Sequence, residues 1–87
     1  MNKRQRRTLA RIFEQPTRSD VRWEELESLM RALGTQQHEC AGSRGRFVLD
    51  GSILNLHRPH PKPELRKYAV EDVRDFLAAH GIEPEEN

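Results

Sequence analysis

The chain predicts an α+β domain: a three-stranded antiparallel sheet packed on helices. Three observations carry that reading. Asp50-Gly51 stands between two apolar-rich runs, Arg44–Leu49 and Ser52–Arg58. This is the strongest short-range hairpin signal, because both central residues of a type I′ turn need φ > 0. Apolar residues recur at helical spacing before and after that hairpin. The resulting order, α-α-β-β-β-α, buries its apolar faces when the helices cover one side of the sheet.

The elements follow in order. Asn2 to Gln15 reads as a helix with Leu9, Ile12 and Phe13 as its apolar stripe, and Pro16 ends it. Thr17 to Arg22 is a polar connector. Trp23, Leu26, Met30 and Leu33 share one face of a second helix, with Glu24 and Glu25 complementing the dipole in its first turn and Gly34 as its stop. Gln36 to Ala41 reads as a short first strand. After the hairpin, Pro59, Pro61 and Pro63 exclude both a central strand and a helix. Val70, Val73, Phe76 and Leu77 form the apolar face of a last helix over 70–80, ended by Gly81. Trp23 is in phase with its neighbours and reads as a core anchor. His80, in a last helical turn, reads as structural.

At 87 residues this is a single domain. It divides into a helical extension over 1–16, a core over 22–82 and an acidic tail over 83–87. A chain this short buries only about 60–65% of its unfolded surface. With 34% hydrophobic and 33% charged residues, the core is thin. Cys40 is the only cysteine, so no internal disulfide forms, which fits a reducing cytoplasm. No apolar run approaches the ~18 residues of a membrane span, and the basic N-terminus lacks a signal-peptide core. No membrane association is expected. His38 and Cys40 alone make a weak metal signal, and no metal or other cofactor is expected.

Net charge is +1, but it is unevenly distributed. Lys3, Arg4, Arg6, Arg7 and Arg11 crowd the start and read as a solvated face. Arg44, Arg46, Arg58, Lys62, Arg66 and Lys67 outweigh Asp50 and Glu64 in the middle. A basic middle on a near-neutral chain suits an anionic ligand such as RNA. A two-residue turn sets the register. Leu49 faces Ser52, Phe47 faces Leu54 and Gly45 faces Leu56 on the apolar side; Val48 meets Ile53, Arg46 meets Asn55 and Arg44 meets His57 on the other. The polar face therefore ends in a cluster of Arg44, Arg46, Asn55 and His57.

Ala41-Gly42-Ser43-Arg44-Gly45-Arg46-Phe47, the hairpin, His57-Arg58-Pro59-His60-Pro61 and the helix to Gly81 resemble the HicA toxin family. So does the helix from Trp23 to Leu33-Gly34. The resemblance covers about Trp23 to Ile82 and leaves the first helix outside. It implies a double-stranded-RNA-binding-domain-like α-β-β-β-α fold and a small bacterial mRNA interferase, held inactive in a hetero-oligomer with a HicB-like antitoxin. One departure stands out. Family members carry Gly-Ser-His or Gly-Ser-Asn-His with a catalytic histidine, whereas here Arg44 follows Gly42-Ser43. Arginine stays protonated and cannot act as a general base.

Metal-independent RNA cleavage needs a base for the 2′-OH, cations for the phosphorane and an acid for the leaving oxygen. Histidine suits the first and last roles. The expected catalytic set is His57 and His60 as base and acid, in either assignment, with Arg44 on the phosphate. Ser43, Arg46, Asn55, Arg58 and Lys62 are expected to contact RNA, Ser43 also supporting the tight entry to the strand. The alternatives are a catalytically silent RNA-binding or antitoxin-binding module, and a structural subunit whose basic face docks an acidic partner.

Overall fold

The computed structural model describes residues 1–40 and 44–85. Its elements run α1 (Lys3–Ile12), α2 (Trp23–Ala32), β1 (Gln36–Cys40), β2 (Arg44–Leu49), β3 (Ser52–His57) and α3 (Lys67–Ala79). The three strands form one antiparallel sheet in the order β1-β2-β3. The architecture is the expected α+β arrangement, consistent with a double-stranded-RNA-binding-domain-like fold.

The helix ends are written in local chemistry. Asn2 caps α1: its side chain accepts from the Gln5 N–H at 2.8 Å, and the Gln5 side chain accepts from the Asn2 N–H at 2.8 Å. The helix stops at Ile12, short of the expected Gln15. Arg74 of α3 satisfies the released carbonyls. Its guanidinium donates to the Ile12 oxygen at 2.9 Å, the Glu14 oxygen at 3.1 Å and the Thr17 hydroxyl at 3.0 Å. At the start of α2 the Glu25 carboxylate accepts from the Arg22 N–H at 2.9 Å.

Asp50 and Gly51 have φ of 48° and 82°, the left-handed pair that a type I′ turn requires. The hairpin register is the expected one in every pair from Arg44↔His57 to Leu49↔Ser52. β3 ends at His57 rather than Arg58, where the chain turns into the proline-rich segment. Ile12, Leu26, Leu29, Met30, Phe47, Val70 and Leu77 lie at 0% exposure in one core. Each such side chain contributes about 1.5–3 kcal/mol relative to exposure. Leu49 is only half-buried, so the helix-facing side of the hairpin thins toward the turn.

Trp23 is buried and tilts against Phe47 with ring centroids 5.8 Å apart. The indole fills the space above Gly45, where an added Cβ would meet Trp23 ring carbons at 2.8 Å. α3 starts at Lys67, nearly a turn before the expected Val70. His80 closes that helix: its Nδ1 donates to the Phe76 carbonyl at 2.8 Å, and its ring lies 4.8 Å from that of Phe76.

Candidate functional site

The helices cover one face of the sheet and leave the other to solvent. On the open face the ladder sets residues in cross-strand rows. His38 opposes Arg46, which opposes Asn55; Arg44 opposes His57. All five side chains are exposed. The Arg46 Nε donates to the Asn55 Oδ1 at 3.2 Å, which leaves the Asn55 amide NH₂ as a donor. Other arginines are tied to carboxylates. Arg11 lies 3.1 Å from Glu25, and Arg18 lies 2.6 Å from Glu14 and 2.7 Å from Asp20. Among the described residues no carboxylate pairs with Arg44, Arg46 or Lys62. Arg44 and Arg46, exposed and uncompensated on the open sheet face, make a positive potential that an anion relieves.

The segment leaving the hairpin is held in place from both sides. The Trp23 N–H donates to the Pro63 carbonyl at 2.9 Å and the Leu65 N–H to the Val21 carbonyl at 2.7 Å. These two bonds strap the proline-rich loop to the entry of α2, and Leu65 is buried beneath it. Arg58 is drawn toward the core side. Its guanidinium carbon lies 6.0 Å from the Trp23 ring centre and its Nη1 lies 4.0 Å from a Glu39 carboxylate oxygen.

Two depressions share His57 as a common wall. One, about 180 Å³, is lined by Arg44, Arg46, Asn55, Leu56 and His57. The other, about 220 Å³, includes His57, Arg58, His60, Arg66 and Tyr68. A third, about 360 Å³, holds Lys62 with His60 and Arg66. The expected residues are thus spread along a strip with His57 at its centre, rather than converging on one pocket. Ser43 lies outside the described residues. Three residues on this strip were not among the expected site residues: His38, weighed only as a weak metal signal, Arg66, counted only in the basic middle, and Tyr68. The β1–β2 ladder places His38 opposite Arg46, whereas Arg66 and Tyr68 lie in a segment that reads as loop in the sequence. Among the described residues no group of three or more His, Cys, Asp or Glu side chains is placed to hold a metal ion.

Among the described residues no helix is long and apolar enough to cross a membrane. No curated protein and no solved structure matches the chain. A family model described as the HicA toxin of bacterial toxin-antitoxin systems matches residues 23–82, from the first residue of α2 to just past α3. α1 and the acidic tail fall outside the match. That span includes the whole sheet, both shared depressions and the strapped loop, and the chain belongs to the HicA toxin family.

Proposed function

We propose that this toxin is a metal-independent endoribonuclease that cleaves mRNA in the cytoplasm and is neutralised by a HicB-like antitoxin covering the open sheet face. The observation that carries the reading is His57, an exposed imidazole at the junction of two depressions and opposite Arg44 in the ladder. One of His57 and His60 takes the proton from the 2′-OH. The 2′-oxygen then bonds to the adjacent phosphorus while the bond to the 5′-oxygen breaks. The other histidine returns a proton to that leaving oxygen. Arg44 and Arg46 meet the charge on the phosphorane, a role that suits a fixed guanidinium and not a base. Asn55, Arg58 and Lys62 contact the flanking chain, as does Ser43.

The test is expression of the chain alone in bacteria. Growth arrest with cleaved mRNA is expected, abolished by His57→Ala or His60→Ala and reversed by co-expressing a HicB-like protein. Arrest that survives both substitutions would refute the assignment of the chemistry to these histidines.

A second reading is favoured by one observation: Arg44 stands where the family's catalytic histidine belongs. In that reading the chain binds RNA or antitoxin without cleaving. It predicts that wild type leaves growth and RNA intact, and that Arg44→His restores cleavage.

A further inference from the structure

We propose that the depression between the end of β3 and the first turn of α3 is a nucleobase subsite with Tyr68 as its stacking platform, so that the chain selects single-stranded RNA. This rests on the RNA reading above and names the form of RNA that the site takes.

Tyr68 is 54% exposed, one of few large apolar side chains left in solvent among the described residues. It is outside the core, and among those residues its ring stacks on no other aromatic. Its backbone is nevertheless firmly placed, because the next two residues, Ala69 and Val70, are buried. A half-open aromatic ring on a fixed stretch of backbone has a face free for a stacking partner.

The surroundings define that partner. His57, Arg58, His60 and Arg66 line the same depression. Aromatic faces combined with cations are the mixture by which proteins hold unpaired nucleotides: bases stack on rings while the backbone follows the charge. A duplex keeps its bases stacked on each other and offers no free face. His57 also lines the neighbouring depression with Arg44 and Arg46. A phosphodiester at His57 therefore sends one nucleotide toward the arginines and the other toward Tyr68.

The test measures binding of a short fluorescein-labelled oligoadenylate, and of a blunt RNA duplex, by anisotropy across a salt series. Tyr68→Ala is expected to weaken oligoadenylate binding roughly 5- to 100-fold, with Tyr68→Phe close to wild type. The salt slope stays unchanged in Tyr68→Ala, because stacking releases no counterions. In Arg46→Ala the slope falls by about 0.7, one phosphate contact on a single strand. Duplex binding is weaker than single-strand binding and indifferent to Tyr68. If Arg46→Ala weakens binding and Tyr68→Ala does not, the subsite is overturned while the RNA reading stands. Tighter binding of the duplex also overturns the proposal. If wild type binds neither RNA at low salt, both readings fall.

Discussion

The contact of Trp23 with Gly45 joins the second helix to the middle strand at the level of single atoms. A Cβ at position 45 would sit 2.8 Å from two carbons of a buried indole. Neither partner has room to retreat, because the ring also packs on Phe47 and under the Arg58 guanidinium. Gly45→Ala is expected to destabilise the fold by roughly 1–3 kcal/mol through overpacking, measured by urea unfolding. Combining it with Trp23→Leu should cost less than the sum of the two single changes, because both act through the same space. The role of Trp23 as a core anchor was legible in the sequence from its helical phase. The requirement for glycine at position 45 was not, since it arises only when two distant segments meet.

At the scale of elements, α1 is an integral part of the domain although it lies outside the family match. Leu9 and Ile12 are buried in the common core, and Arg74 reaches across from α3 to hold the end of the helix. Ile12→Ala is expected to cost about 2–5 kcal/mol, a large share of the ~5–15 kcal/mol available to a small domain. Arg74→Ala should cost about 1–3 kcal/mol by leaving carbonyls without their donor. Hydrogen exchange in that variant should rise first at the end of α1. The hairpin was almost fully legible, because Asp-Gly dictates the turn and the turn dictates the register. The start of α3 was not. Arg66, its N-cap, makes no side-chain capping bond, and no acid occupies its first turn. The extra turn over 67–69 buries Ala69, a tertiary gain with no local signature.

For the whole molecule, charge placement matters more than its near-zero sum. Acids are spent on Arg11 and Arg18 near the α1–α2 connection, and the open sheet face keeps its cations. Asp20 is held below the usual carboxylate range, foremost by its hydrogen bonds from Arg18. A carboxyl depressed in the folded state stabilises above its unfolded value near ~3.9, and loses that contribution as pH falls toward the folded value. Asp20→Asn should therefore lower Tm slightly at neutral pH and converge with wild type as pH falls, which flattens the acid side of a plot of Tm against pH. Because the pair is exposed, high salt should shrink the difference. The arginines and His57 of the candidate site were legible because the hairpin register aligns them. Tyr68 and Arg66 were not, because they reach the site through the docking of α3 and not through the sheet.

The strap between the proline-rich loop and the entry of α2 bears on the order in which the chain folds. Arg44, Arg46, Asn55 and His57 come together as soon as the hairpin zips, over a short stretch of chain. His60, Arg66 and Tyr68 join them only when Val21 and Trp23 bond to Pro63 and Leu65, far apart in sequence. Closing long loops is slower than closing a hairpin. A chain still emerging from the ribosome thus carries half a site, and the other half arrives with the finished fold.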